Sequence, residues 1–290
     1  MGIEVGIVLA LLAMFGWGFG DFFIQKATRK FGDWGPLFAI TLFGAIILFP
    51  FVYKNLPQLL NNSQLWILIL GSIILFFAAI LDFEALRKGK LDVVEPIWSL
   101  EIPVAGLLAF IIFRESVNLQ QIIFIILLIA GLALVSFKSL NFSKKLLFEK
   151  GVFIAIIAAL LMGSANFLIG WGARVSDALM MNFVLNVVIA IASLAVILYK
   201  KELKLLVPNI RKEKWTWLGM CVFDNIAWVA FAYAMILAPI AIAVALSESY
   251  IIIAALLGMF INKETLHPHQ KAGLVIALAS AIVLAVITSN

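Results

Sequence analysis

The chain has little of the chemistry on which soluble enzymes and disulfide-stabilised proteins depend. Its 290 residues include one cysteine, two histidines and 13% charged residues. A single cysteine, Cys221, excludes an internal disulfide. His267 and His269 lie in one short segment without a nearby Cys or third ligand, so we predict no metal site. A Gly-x-x-x-x-Gly-Lys phosphate loop is absent, which argues against direct drive by ATP, and we predict no cofactor.

Long apolar segments are what the chain has in abundance. Hydrophobic residues make up 64% of it. Since about 20 apolar residues cross a bilayer core as a helix, each such segment predicts one transmembrane span. There are ten, at approximately 5–25, 35–53, 65–84, 91–112, 119–137, 151–171, 178–199, 215–237, 240–261 and 270–288. We therefore predict an all-α, polytopic membrane protein whose partner is the lipid bilayer. The first segment has no basic leader or clear cleavage site, so we expect a retained span.

The basic residues are distributed very unevenly between alternate loops. Of the 21 Lys and Arg residues, 18 fall in one set of loops and 3 in the other, namely Lys54, Arg114 and Arg174. The basic side of a membrane protein usually faces the cytoplasm. We therefore expect a multi-pass plasma-membrane protein with both termini on the non-cytoplasmic side. Because the net charge of +5 resides in these loops, it does not indicate nucleic-acid binding.

The second half of the chain weakly repeats the first. Residues 18–24 align with 163–169, and 113–121 align with 261–269. This predicts two units, 1–140 and 148–290, with five spans each. An odd number of spans makes the second unit enter the membrane from the opposite face. Inverted repeats of this kind are typical of secondary transporters, which bind their substrate near the midplane between the halves.

The same segments carry a family resemblance. Trp17-Gly18, residues 83–87 and 103–115, Tyr233-Ala234 and Lys263-Glu264 resemble the EamA domain. Over nearly its full length the chain is similar to a ten-helix member of the drug/metabolite transporter superfamily, with two EamA repeats. The resemblance implies a central cavity lined mainly by helices 1, 3, 4, 6, 8 and 9. It leaves the substrate open, because such relatives move amino acids, sugars, nucleosides, amines and drugs.

Acidic residues within the spans are the best candidates for a functional site. Glu95 and Glu101 lie in the fourth span, Asp224 in the eighth and Glu248 in the ninth, with no Lys or Arg at the same depth. A carboxylate at the bilayer centre costs about 2.5–3.5 kcal/mol on insertion scales, so these spans should face a wet cavity. We predict that Glu101, Asp224 and Glu248 bind substrate, and that Glu95 and Asp21 couple protons.

Aromatic and amide side chains accompany these acids. Trp17 precedes Asp21, and Asp224 precedes Trp228, by four residues, so each pair shares a helix face. An acid beside an indole suits an ammonium ligand, through charge and cation–π attraction. Asn166 occupies the position of Asp21 in the second repeat. The remaining predicted substrate-binding residues are Trp17, Trp98, Trp228, Tyr250 and Asn166. For the tryptophans, anchoring at the membrane interface remains the alternative.

Other acidic residues have simpler structural explanations. Asp82 and Glu84 end the third span just before Arg87 and Lys88, which favours an interfacial ion-pair cluster over a gate. Glu115 and Glu264 occupy matching loop entries beside Arg114 and Lys263, which favours a capping role.

These features together favour a secondary active transporter rather than an enzyme. Its expected cargo is a small cationic or zwitterionic amine or amino acid, moved by alternating access with proton coupling or exchange. The alternative is a transporter of a neutral sugar or nucleoside. A remote alternative is an intramembrane aspartyl protease, because residues 18–21 read Gly-x-Gly-Asp. The partners we expect are a small molecule and possible protons, and the chain could be a monomer or a homodimer.

Overall fold

The computed structural model describes residues 2–61, 63–88, 95–137, 150–261, 263 and 265–289. The described part consists of helices and short connections. The thirteen α-helices, with a 3₁₀ segment at Glu95–Leu100 before the fifth, are α1 (Gly2–Phe31), α2 (Trp34–Val52), α3 (Leu56–Leu60), α4 (Leu65–Lys88), α5 (Glu101–Phe113), α6 (Leu119–Ser136), α7 (Lys150–Val175), α8 (Ala178–Tyr199), α9 (Leu203–Lys212), α10 (Lys214–Leu237), α11 (Ile240–Glu248), α12 (Tyr250–Ile261) and α13 (Pro268–Ser289).

These helices form ten membrane spans in the described part of the chain. Eight spans are single helices, and two are composite. The fourth span joins the 3₁₀ segment to α5, and the ninth joins α11 to α12. The short helices α3 and α9 lie in the connections between spans. The predicted all-α fold with ten spans is confirmed.

The two composite spans change their helical geometry beside an acidic residue. In the fourth span, α5 begins at Glu101 and has Pro103 in its first turn, where the missing N–H of proline removes no helical hydrogen bond. In the ninth span, Glu248 ends α11 and Ser249 separates it from α12. The hydroxyls of Ser247 and Ser249 donate to the carbonyls of Ala243 and Leu246, so both buried hydroxyls are satisfied locally. Discontinuous helices of this kind are tolerated where they line a cavity.

The helices pack in a pattern that is symmetric under exchange of the two halves. The second span packs on the seventh and the fifth on the tenth. The first span packs on the eighth, and the third packs on the sixth. These two contacts are equivalent when spans 1–5 are exchanged with spans 6–10. Likewise the fourth span contacts the sixth, and the ninth contacts the first. Since each half has an odd number of spans, the two halves run in opposite directions, which confirms the predicted inverted repeat.

A glycine brings the sixth span against the break in the fourth. A Cβ atom on Gly163 would lie 2.8 Å from the carbonyl oxygen of Glu101 and 2.7 Å from Cβ of Val104. These separations are too short for any side chain, so glycine allows the backbones to meet there. The contact places Asn166, three residues later on α7, beside Glu101.

Candidate functional site

A polar cavity of about 210 Å³ lies between the two halves of the bundle. Five carboxylates line it, and they come from five different spans: Asp21 on α1, Asp82 on α4, Glu101 on α5, Asp224 on α10 and Glu248 on α11. The other lining residues are Trp17, Trp98, Met162, Asn166, Trp228 and Tyr250. Among these described residues there is no Lys, Arg or His, so the wall of the cavity carries only acidic side chains.

Asn166 links the two carboxylates that adjoin the helix breaks. Its Nδ2 lies 3.3 Å from Oε2 of Glu101 and 3.3 Å from Oε1 of Glu248, and it donates to both. Asn166 is 1% exposed and Glu101 is 7% exposed, so this contact lies deep in the bundle. One amide therefore holds an acid from each half at the same point. Each carboxylate retains acceptor capacity, since an ionised carboxylate offers about four lone-pair sites.

The aromatic side chains form one wall of the cavity. The rings of Trp17 and Trp228 meet edge to face at a centroid distance of 5.0 Å, and Tyr250 lies 6.2 Å from Trp17. Phe231 supports the pair from behind, 5.0 Å from Trp17 and 6.0 Å from Trp228. Edge-to-face contacts of this kind fix ring orientation. Trp228 is also held through its backbone, because Nδ2 of Asn182 donates to its carbonyl oxygen at 3.2 Å.

The cavity continues toward the basic end of the bundle. An adjoining space of about 240 Å³ shares Asp82, Asp224 and Trp228 with it and extends to Thr28 and Asp33, where α1 and α2 meet. This adjoining space thus extends from the carboxylates toward the end where Lys and Arg are concentrated. Among the described residues, no three acidic, histidine or cysteine side chains are grouped as a metal ion would require.

Toward the opposite end, Arg174 and Glu115 form a polar clamp between the halves. Arg174 lies in the last turn of α7, and its Nη1 pairs with Oε1 of Glu115 in the loop after α5. Its Nε donates to the carbonyl of Met235 at 2.7 Å, and Nη2 donates to that of Ala238 at 3.2 Å. Oε2 of Glu115 accepts from the N–H of Ile240 at 2.8 Å, at the N-terminus of α11. The clamp joins the fourth, sixth, eighth and ninth spans.

Most of the predicted site residues meet in this cavity. The structure brings together Glu101, Asp224, Glu248, Asp21, Trp17, Trp98, Trp228, Tyr250 and Asn166. Trp98 and Trp228 line the cavity. The alternative for these two residues was a position at the membrane interface. The remaining predicted residue, Glu95, begins the 3₁₀ segment, but its side chain is outside the described part of the structure.

Sequence reasoning missed some features of the site. We expected Asp82 in an interfacial ion-pair cluster, but it lines the cavity. The structure describes one ion pair of the expected cluster, between Glu84 and Lys88 at 2.6 Å. The position of Asp82 near the end of α4, where an ion pair is the ordinary explanation, gave no signal of this role. Glu115 was expected to cap the fifth span, which follows it, but its carboxylate pairs with Arg174 and accepts from the N–H of Ile240. Asn118 caps α6 instead, through a reciprocal capping box with Gln121. Glu264, expected to cap the tenth span, lies outside the described part of the chain.

Comparison with known proteins identifies the family but not the cargo. The chain matches the model of the EamA-like transporter family twice, over residues 4–137 and 149–286. An uncharacterised protein of Methanocaldococcus jannaschii is 28% identical over 139 residues, which are 46% of this chain and 98% of that protein. That relative therefore has the length of about one half of the chain.

The solved structures add evidence on the fold. One crystal structure of a protein superposes with a TM-score of 0.76, covering 98% of this chain and 97% of its own, at 13% sequence identity. This similarity concerns the fold alone. The two family matches cover both five-span halves, and the ten spans make the chain a multi-pass membrane protein. The chain is a member of the EamA-like transporter family.

Proposed function

We propose that the protein is a secondary active transporter that carries a small organic amine through the central cavity. The single observation that supports this cargo is the composition of the cavity wall: five carboxylates, an aromatic wall and, among the described lining residues, no basic side chain. A cationic ammonium group is the complement of that wall. The size agrees with a small metabolite, because about 210 Å³ is below the roughly 300–1,000 Å³ of pockets for drug-sized ligands.

Electrostatics supports a cation rather than a neutral cargo. Carboxylates in a membrane-spanning helix are costly, and they are retained where a proton, a cation or a polar cavity compensates them. Asn166 supplies a hydrogen-bond donor to Glu101 and Glu248 but no positive charge. An ammonium group between these two acids and the faces of Trp17 and Trp228 would gain both ion pairing and cation–π attraction. Protons bound to Asp21 or its neighbours would take the place of the cargo during the return step.

Alternating access follows in this proposal from the two ends of the cavity. In this proposal the cavity opens toward the basic end, where the adjoining space extends to Thr28 and Asp33, and is closed at the other end, where Arg174 pairs with Glu115. By the positive-inside rule the basic end faces the cytoplasm, so both termini lie on the non-cytoplasmic side of the plasma membrane. Transport then requires the clamp to open while the space around Thr28 and Asp33 closes. The breaks at Glu101 and Ser249 provide places where the fourth and ninth spans could bend.

A thermal-stability screen of the purified protein tests the cargo class. Primary and polyvalent amines, amino acids, sugars and nucleosides are each added, and the screen is repeated on Glu101→Gln. We expect amines to raise Tm in the wild type and to lose most of that effect in Glu101→Gln. Glu202→Gln, which removes a carboxylate outside the cavity, is the matched control and should behave as wild type. Stabilisation by sugars or nucleosides alone, unchanged in Glu101→Gln, would replace the amine with a neutral cargo.

A further inference from the structure

The short helix α9, between the seventh and eighth spans, has an apolar face that extends beyond the protein. At 100° per residue, Leu203, Leu206, Val207 and Ile210 lie on one face of this helix. Leu206 and Ile210 pack on the cluster around Trp217, whereas Leu203 and Val207 are 43% and 55% exposed. A helix whose apolar face is shared between protein and surroundings, at the boundary of an apolar bundle, lies in the membrane interface.

Beneath α9 an apolar groove of about 470 Å³ opens between α2 and α10. Leu206 and Ile210 form its upper wall, Phe38 and Ile46 lie on α2, and Cys221 lies on α10. Cys221 is seven residues into α10, about 10 Å from its start, and Ile46 is about 18 Å from the start of α2. One leaflet of the hydrocarbon core is about 15 Å deep, so the groove has the length and depth of an acyl chain.

The mouth of this groove is basic, and its cations take no part in ion pairs with the described residues, although Nζ of Lys214 lies over the Trp215 ring, 5.4 Å from its centroid. Lys214 lines the groove at its interfacial end, and Arg211 and Lys212 are exposed on the adjoining turn of α9. Among the described residues none of these three forms an ion pair. The neighbouring acid, Glu213, is already paired with Lys30 and lies 3.7 Å from Lys26. Positive charge at the depth of the head groups attracts anionic lipid.

We infer that this groove is a binding site for one anionic phospholipid, with an acyl chain between α2 and α10 and its phosphate group on Arg211 and Lys214. The apolar walls select an acyl chain over a polar solute, and the cations, which form no ion pair with the described residues, select an anionic head group over a zwitterionic one. The site is separate from the central cavity and does not depend on the nature of the cargo. A lipid there would fix α9 against the eighth span, which carries Asp224 and Trp228.

Native mass spectrometry of the whole protein tests this site. The protein is released from micelles containing equal amounts of phosphatidylglycerol and phosphatidylcholine, and the lipids retained on it are counted. We expect phosphatidylglycerol to be preferred, and the double variant Arg211→Gln/Lys214→Gln to lower that preference by about fivefold or more. The matched control, Lys88→Gln/Lys271→Gln, removes two exposed cations at the same end and should keep the preference. An equal preference in both double variants would overturn the assignment.

Two further measurements distinguish the contribution of the acyl chain to lipid binding from that of the head group. Ala39 lines the groove, and Ala39→Phe should fill it and reduce retention of the lipid while leaving Arg211 and Lys214 in place. Glycerol 3-phosphate, which has the phosphate but no acyl chain, should fail to displace the lipid. Unchanged retention of the lipid in Ala39→Phe, or its displacement by glycerol 3-phosphate, would show that the groove does not hold the acyl chain and would overturn the proposal.

Discussion

Breaking the Arg174–Glu115 clamp should destabilise the protein far more than breaking an exposed ion pair. The Arg174 side chain is 24% exposed and that of Glu115 is 18% exposed, so water screens the pair only in part. Arg174→Met removes the ion pair and the hydrogen bonds to the carbonyls of Met235 and Ala238. It also leaves the Glu115 carboxylate half-buried without its cation.

The expected magnitude follows from these contacts. Loss of one partner of a fully buried pair costs about 3–5 kcal/mol, whereas exposed pairs contribute about 0–1 kcal/mol. For a pair at intermediate exposure we expect Arg174→Met to lower the free energy of unfolding by about 2–3 kcal/mol. Glu115→Gln keeps an acceptor for the N–H of Ile240 and should cost less, about 1–2 kcal/mol, because a hydrogen bond to a charged group is worth about 1.5–3 kcal/mol.

Equilibrium unfolding in mixed micelles, with increasing mole fraction of SDS, measures these changes. Together the two variants and their combination form a double-mutant cycle, in which we expect a coupling energy of at least about 1 kcal/mol. Lys88→Gln is the control, because it breaks the Glu84–Lys88 pair, whose side chains are 34% and 52% exposed, and should change stability by less than about 0.5 kcal/mol. If Arg174→Met changes stability as little as Lys88→Gln does, the clamp does not hold the halves together.

Two further predictions concern a helix crossing and an interfacial ion pair. In Gly131→Ala the added Cβ would lie 2.6 Å from the backbone nitrogen of Ala277, so the fifth and tenth spans must separate. We expect this to lower the free energy of unfolding by about 1–3 kcal/mol. The control is Gly35→Ala, whose Cβ would meet its nearest atoms at 3.5 Å and which should be close to neutral in the same unfolding assay. The Lys30 ammonium, which donates to Glu213, lowers the pKa of that carboxyl below its ordinary value of 4.5. A lowered pKa stabilises the folded state at pH values above 4.5, and this stabilisation is lost as the pH falls through the folded pKa. The stability difference between wild type and Glu213→Gln should therefore shrink between pH 7 and pH 4, and a difference that does not change with pH would contradict the assignment.

The fold could be predicted from the sequence because a membrane imposes simple rules on it. Length and hydropathy alone determine where a helix crosses an apolar layer, and the odd number of spans in each half determines their relative direction. The helix breaks were partly foreseeable, since Pro96 and Pro103 indicated the change of geometry in the fourth span. The break at Ser249 has no proline to indicate it in the sequence.

The site was predictable to the extent that its residues are anomalous in their surroundings. Carboxylates such as Glu101 and Glu248 stand out in the middle of an apolar span, and the structure brings them to one amide. Asp82 did not stand out, because it lies near the end of its helix, where an ion pair is the ordinary explanation. The partner of Glu115 could not be predicted either, since Arg174 is distant in sequence and their contact depends on how the two halves meet.

Uptake into proteoliposomes tests the central claim most directly. The amine that stabilises the wild-type protein best is labelled, and its uptake is measured with and without a pH gradient in wild type, Glu248→Gln and Glu202→Gln. We predict saturable uptake by the wild type and by Glu202→Gln, with at least a tenfold loss in Glu248→Gln, since a lost ion pair of about 1.4 kcal/mol or more changes affinity tenfold. Equal uptake by all three proteins would contradict the claim that the carboxylates of the cavity carry the cargo.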